Sequence, residues 1–258
     1  MNNQSNFVKE ICAEQGISLN FLSQGYVMRL FKNGRARHIF GSYWDINSAA
    51  ADRIACDKTA CFLLLERAGI SAVPHELFSA RDGDFTRAAK FLDKHKKVII
   101  KPNTGTQGMD IFLCKTQKRL EVAAAAIFEK YSDAALSPFM EIEHEYRVFF
   151  LSGQARFIYG KARGDSWQHN LSQGAKAFIA GAAKPETDLS AIEALALRAA
   201  DCIGINFATI DIAALKNGGL AVMEINSGVQ ARLLLEQLPH LRPIIKEIYT
   251  DALREMFM

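Results

Sequence analysis

The chain has 258 residues, enough to bury a large core as one domain or as two to three small lobes. Its 49% hydrophobic and 23% charged content is that of an ordinary soluble globular protein, and a net charge of +3 is too small to indicate nucleic acid. No apolar run approaches a membrane span, the first residues lack the pattern of a signal peptide, and five scattered cysteines (Cys12, Cys56, Cys61, Cys114, Cys202) form no CxxC pair, so the expectation is a cytoplasmic protein with neither membrane nor nucleic-acid partners.

In chain order, Asn6 to Gln15 reads as a short helix stopping at Gly16, and Ile17 to Leu22 as a strand. Tyr26 to Phe31 and Arg35 to Phe40 flank Asn33-Gly34, a hairpin signal. Ser48 to Gly69 is helical with a break near Asp57, a cap for the helix that starts at Lys58. After Gly69-Ile-Ser-Ala-Val-Pro74 come a helix over Phe85 to His95 and a short buried strand over Lys97 to Pro102. A polar, glycine-bearing loop (Asn103 to Asp110), a strand over Ile111 to Cys114 and a helix over Gln117 to Tyr131 follow. Glu145 to Leu151 and Ala155 to Ala162 pair about Ser152-Gly153. Leu189, Ile192, Leu195, Ala196, Ala199 and Ile203 mark the apolar stripe of a helix ending at Gly204. Phe207 to Leu215 and Leu220 to Asn226 are strands, and Val229 to Met258 is helical with a break at Pro239 to Pro243. Interleaved helices and hairpins make this an α+β chain of mixed sheets.

The last two strands carry the most informative pair. With Asn217 and Gly218 as a two-residue turn, cross-strand partners place Asp211 opposite Glu224, Cβ atoms about 4.5–5.5 Å apart. Like charges so placed weaken a sheet unless something lies between them. Asn226 shares their face, while Met223 and Ile225 point to the core. Two carboxylates and an amide oxygen suit Mg²⁺, or Mn²⁺, held together with phosphate oxygens; the plainer alternative is a solvated face whose acids splay apart.

Lys101 ends an apolar strand just before Gly105, Gln107 and Gly108, a natural phosphate contact, although the order is not that of a Walker A loop. A strand-end lysine taken alone is more often solvated. Phe139 and Met140 could flank an adenine, with a nearby carboxylate on ribose hydroxyls. Arg147 and Lys161 lie on facing strands and could reach one anion, or else neutralise Glu145 and Glu141. The loop from Trp167 to Ala175 holds His169 and Asn170; a lone loop histidine is more often a surface residue than a base. His38, His75, His95, His144 and His240 lack metal-ligand spacing, and there is no nucleophile elbow or Rossmann fingerprint.

From about Asp57 to about Gln230 the ordered set resembles the ATP-grasp superfamily of carboxylate–amine ligases. It comprises Asp57-Lys58, Gly69-Ile-Ser-Ala-Val-Pro74, Val98-Ile-Ile-Lys101-Pro102 with its glycine loop, Glu145-Tyr146-Arg147, Asn170-Leu-Ser-Gln-Gly174, Asp211 and Glu224-Ile-Asn226. It looks most like the branch of glutamate ligases, cyanophycin synthetase and bifunctional glutathione synthetases. The resemblance implies an ATP-grasp fold: a reduced N-terminal region over 1–56, a small or lid lobe over 57–135 and a C-terminal lobe with a metal site over 136–258. It implies that Lys58 and Lys101 contact ATP phosphates under a Gly105–Gly108 lid that includes Gln107. Phe139, Met140 and Glu141 would border the adenine, and Glu145 would reach the ribose. Asp211, Glu224 and Asn226 would hold Mg²⁺, and Arg147, Lys161 and Asn170 would face the transferred phosphoryl group and the acyl substrate. The implied reaction makes an acyl phosphate and then an amide from amino acid or peptide substrates, or a protein tail. An ATP-binding module without turnover and a phosphotransferase on the same fold are the alternatives. Only about 55 residues precede Asp57, so the substrate side is expected to be open or completed by a second subunit, as in a homodimer.

Overall fold

The computed structural model describes residues 3–82, 85–105, 108–164, 167–181 and 188–258. Helix α1 (Asn3–Gln15) leads into an antiparallel meander of β1 (Ser18–Leu22), β2 (Val27–Lys32), β3 (Arg35–Phe40) and β4 (Tyr43–Trp44). Asn33 and Gly34 both take positive φ (51° and 76°), the turn backbone that matches the twist of β2 and β3. Ser48 caps α2 (Ala49–Cys56). Asp57 then interrupts the helical run, and its carboxylate accepts from the Ala60 amide at 2.8 Å to cap α3 (Lys58–Arg67). This break turns Lys58 inward at the first turn of α3, where it is buried.

A second sheet has the order β5 (Glu76–Ser79), β8 (Asp133–Pro138), β6 (Val98–Pro102), β7 (Phe112–Cys114). Helices α4 (Thr86–His95) and α5 (Gln117–Phe128) supply Phe91, Leu92, Leu120 and Ile127 to its core around Val98 and Ile100. Helix α5 ends at Phe128, short of the expected Tyr131, and β8 over Asp133–Pro138 is a strand that no local pattern announces. Asp-Ala-Ala-Leu-Ser-Pro has little intrinsic β preference; it is a central strand because β5 and β6 both pair with it, the tertiary setting overriding local propensity.

The third sheet has the order β11 (Lys176–Ile179), β10 (Gln154–Ala162), β9 (Ile142–Leu151), β12 (Phe207–Leu215), β13 (Leu220–Asn226). One face, with Val148, Phe150, Ile210 and Ile212, packs under α6 (Leu189–Ile203) and against Ala51, Ala55 and Leu65. The opposite face is divided. Where Phe149, Leu151 and Phe207 emerge it is covered by α1, the meander, α7 (Arg232–Gln237) and α8 (Arg242–Met256). Further along the same strands the face carries Glu145, Arg147 and Asp211, which line a cavity. The two chain ends thus share one core: Trp44 meets Phe207 and Tyr249 at ring distances of 5.3 and 5.4 Å, and Phe7 meets Tyr249 edge-on at 5.5 Å. Among the described residues no helix is long and apolar enough to cross a membrane.

Candidate active site

The β12–β13 hairpin does place Asp211 opposite Glu224, by a route the sequence did not disclose. Its loop is three residues, not Asn217-Gly218 alone: the Leu215 amide donates to the Gly219 carbonyl at 2.8 Å, and Gly218 sits at φ 86°. That loop by itself would set Asp211 against Met223. A bulge between Asp211 and Ile212 then inserts one extra residue on β13, so the next pair is Asp211 with Glu224, followed by Ile210 with Ile225 and Thr209 with Asn226. Two one-residue departures cancel. Met223 is the extra residue, and it lines the cavity instead of joining the core, whereas Ile225 is buried as expected.

A row of charge crosses the sheet. Asp211 is the register partner of Arg147 on one side and of Glu224 on the other. Arg147 grips Asp211 with Nε at 2.6 Å and a terminal nitrogen at 2.5 Å, and Lys161 Nζ lies 3.2 Å from the same carboxylate. Lys161 also pairs with Glu145, its partner across β9 and β10. Arg147 and Lys161 therefore do reach one anion, but the anion is Asp211, and Lys161 faces Glu145 directly because the β9–β10 register shifts near Ala155. Burial would push the Asp211 carboxyl up; Arg147 and Lys161 outweigh it and bring it down to about 2. Glu145 goes the other way: burial, with Asp211 nearby, raises it despite Lys161. Burial opposes the Lys161 charge, and so does Arg147, yet Asp211 and Glu145 hold its pKa above the ordinary lysine value.

All of this opens on one cavity of about 780 Å³. Fourteen of the residues selected from sequence line it: Lys58, Lys101, Gly105, Gly108, Phe139, Met140, Glu141, Glu145, Arg147, Lys161, Asn170, Asp211, Glu224 and Asn226. Gln107 lies outside the described residues. At one end Phe139, whose amide donates to the Lys97 carbonyl, stands 6.0 Å from the Trp167 ring, and exposed Glu141 approaches Lys216. In the middle Lys58 Nζ donates to the Gly105 carbonyl at 2.7 Å, tying α3 to the glycine loop. A Cβ at Gly105 would come within 2.8 Å of Pro102, and one at Gly108, where φ is 69°, within 2.2 Å of the Asn170 amide. The glycine loop and the Asn170 loop thus meet, although the Asn170 oxygen is engaged in capping its own turn at Ser172. Burial brings the Lys101 ammonium down to about 8, Lys58 adding to the effect and Glu224 opposing it.

Two cavity histidines went unassigned in the sequence. His75, just after Pro74, is buried beside Lys58 and Lys101; burial and then the two ammonium groups lower its pKa well below the ordinary value, so its ring is neutral. Its Nε2 has no hydrogen-bond partner. His169 is buried, not a surface residue, with Nδ1 3.2 Å from the Lys161 carbonyl. A histidine directly after an apolar crossing segment was the one signal for His75; the polar loop that drew attention to His169 also argued for a surface position, which its burial overturns.

A model of the RimK-like ATP-grasp domain matches residues 55–238. The chain belongs to that family. The probable alpha-L-glutamate ligase of Vibrio atlanticus is 28% identical over 190 residues, covering 70% of this chain and 58% of that protein. The tetrahydromethanopterin:alpha-L-glutamate ligase of Methanocaldococcus jannaschii is 26% identical over 147 residues, 54% of this chain and 48% of that one. The chain therefore spans about half the length of these curated relatives. Among solved structures, D-alanyl-alanine synthetase A from Vibrio cholerae superposes with a TM-score of 0.71 at 11% identity, over 98% of this chain and 92% of that one. The bifunctional glutathione synthetase of Pasteurella multocida gives 0.58 at 13%, over 95% and 44%. At such identities these establish the fold, and the ATP-grasp architecture expected from the ordered motifs is the one found.

The donors of this RimK-like ATP-grasp domain suit a hard divalent cation. Asp211, Glu224 and Asn226 project into the same cavity from adjacent strands. Asp211 Oδ1 is engaged by both Arg147 and Lys161, but Oδ2 accepts only from Arg147 and keeps an acceptor site. Asn226 also has a buried amide nitrogen with no partner, a donor that an anionic oxygen beside the cation, and not the cation itself, would satisfy. One or two carboxylates completed by phosphate oxygens and water is the way Mg²⁺ is ordinarily held.

Proposed function

We propose that the protein is a Mg²⁺- and ATP-dependent ligase that activates a carboxylate as an acyl phosphate and joins it to an amine. The observation that carries this reading is the shared cavity. Apolar side chains, two lysines beside a glycine loop and an acid–acid–amide donor set all line it, which are the kinds of group a magnesium–nucleotide complex calls for. In this reading Phe139, Met140 and Glu141 border the base and Glu145 the ribose. Lys58 and Lys101 neutralise phosphate oxygens, and Asp211, Glu224 and Asn226 hold the cation. Bound there, Mg²⁺ supplies charge neutralisation at the transferring phosphoryl group.

The substrate carboxylate attacks the terminal phosphorus of ATP, ADP leaves, and the amine then displaces phosphate from the acyl carbon. Little of this asks for covalent help from the chain; positioning and fixed charge dominate. Arg147 and Lys161 supply cations whose positions are set beforehand by Asp211 and Glu145. The glycine loop, meeting the Asn170 loop, shields an acyl phosphate that water would otherwise hydrolyse. Relatives named as alpha-L-glutamate ligases make an amino acid the first amine to try. Five free thiols suit a reducing, cytoplasmic setting.

The test is ATP- and Mg²⁺-dependent hydroxamate formation, with hydroxylamine in place of the amine and pooled amino acids and short peptides as carboxylates. The expected result is a hydroxamate that Glu224→Gln abolishes. Glu224 is the better control because Asp211 also restrains Arg147 and Lys161. A phosphorylated product that hydroxylamine does not intercept would replace the ligase with a phosphotransferase.

A further inference from the structure

The amide-forming step needs more than fixed charge. At neutral pH the amine of an amino acid is an ammonium, with no electron pair to attack an acyl carbon, so a base must take its proton inside the closed site. The acids that line the cavity among the described residues are engaged elsewhere. Asp211 is gripped by Arg147 and Lys161, Glu145 is paired with Lys161, Glu224 stands among the cation donors, and exposed Glu141 lies beside Lys216. His75 stands beside the two ammonium groups of Lys58 and Lys101.

His169 meets the requirement. It is only 6% exposed yet lines the cavity. Its Nδ1 lies 3.2 Å from the Lys161 carbonyl. A carbonyl only accepts, so Nδ1 carries the hydrogen and the lone pair of the neutral ring stands on Nε2. Among the described residues Nε2 has no hydrogen-bond partner. The ring is held from both sides. Asn170, next in sequence, caps the turn Leu171–Gln173 with its side chain, and its carbonyl accepts from the Gln173 and Ala175 amides. Lys161 is itself fixed by Glu145 and Asp211. The imidazole is thus in place before any substrate arrives, beside the two residues, Lys161 and Asn170, that the ligase reading sets against the phosphoryl and acyl groups. Burial lowers its pKa below the ordinary histidine value; the bond to the Lys161 carbonyl opposes this, and the charges of Lys161, His144 and Arg163 add to it. At neutral pH the ring therefore holds its lone pair while an amino-acid amine holds its proton.

We propose that His169 is the general base of the amide-forming step and that its Nε2 takes a proton from the amine of an amino-acid substrate. The inference rests on the ligase reading and adds to it the residue that makes the amine a nucleophile. The nitrogen sheds two protons on the way from ammonium to amide. Nε2 takes the first, freeing the pair that forms the C–N bond. The second goes to the phosphate, which departs with the electrons of the broken acyl C–O bond. The imidazolium then returns its proton to water.

The experiment follows how one acyl phosphate is shared between two competing amines. The whole protein receives MgATP, hydroxylamine, and pooled amino acids and short peptides that supply both carboxylate and amine. Hydroxylamine is already uncharged at neutral pH and needs no base, so the amide-to-hydroxamate ratio, read by mass spectrometry, reports the second step alone. With a resident base the wild-type ratio is expected to stay nearly flat from about pH 7 up to the amine's own pKa; without one it would climb about tenfold per pH unit with the fraction of free amine. His169→Asn keeps an amide N–H for the Lys161 carbonyl but removes the base. It should lower the ratio about a hundredfold or more at about pH 7, and the deficit should close as the pH rises. A merely positioning role would depress both products together, with no rescue by alkali. A wild-type ratio that climbs with pH, a variant ratio equal to that of wild type, or hydroxamate with no amide at any pH overturns the proposal. The wild-type profile decides even if the variant does not fold. Absence of hydroxamate as well as amide would instead overturn the ligase reading, and this step with it.

Discussion

Lys101 shows how far a single residue could be read. Its place at the end of an apolar strand before glycines was legible; its environment was not, because burial and the approach of Lys58 from α3 depend on tertiary contacts. With its pKa near 8 in the free protein, Lys101 is charged below that pH and ready for a phosphate. Above it a proton must be regained on binding, so nucleotide affinity should fall by up to about tenfold per pH unit. The expected dissociation constant for MgATP, followed by calorimetry, is flat on the acid side of about pH 8 and rises on the alkaline side; Lys101→Arg should remove the break. A wild-type profile without the break would take Lys101 off the phosphate. The partners of Lys161 were less accessible, since a single register shift in β10 decides whether it faces His144 or Glu145.

Among the elements, helix caps, the Asn33-Gly34 turn and the two strands of the β12–β13 hairpin were readable from local chemistry, because caps and tight turns are short-range requirements. Strand β8 was not, since its pairing partners create it. The bulge at Met223 is likewise a long-range feature, and its position makes a direct prediction. Because Val222 already pairs with Ile212 and Glu224 with Asp211, deleting Met223 should regularise the hairpin and preserve both the register and the faces. What would go is a methionine side chain from the cavity wall. Deletion of Met223 should therefore cost no more than about 1 kcal/mol in urea unfolding yet weaken nucleotide binding about tenfold. Loss of the fold on deletion would mean that the extra residue is structural.

For the whole molecule, the union of the two ends was invisible in the sequence: no local pattern announces that α1 will lie on α8. The structure joins them through Phe7 and Tyr249, with Glu10 bridging Arg242 and Lys246 at 2.6 and 2.8 Å. The N-terminal region is thus part of the same core as the central sheet and not an appendage. Phe7→Ala should cost about 3–5 kcal/mol and shift the whole unfolding curve without splitting it. A separate early transition, seen by fluorescence and circular dichroism at different denaturant concentrations, would show that the ends unfold on their own.

The hold of Arg147 and Lys161 on Asp211 has a consequence for the resting state. The protein carries its own counter-ions. Lys58, Lys101, Arg147 and Lys161 stand against Glu145, Asp211 and Glu224, so the empty middle of the cavity is already slightly positive. Free magnesium meets a repelling field there, while the anionic magnesium–nucleotide complex meets an attracting one. Occupancy should then follow the concentration of the magnesium–nucleotide complex and not that of free magnesium.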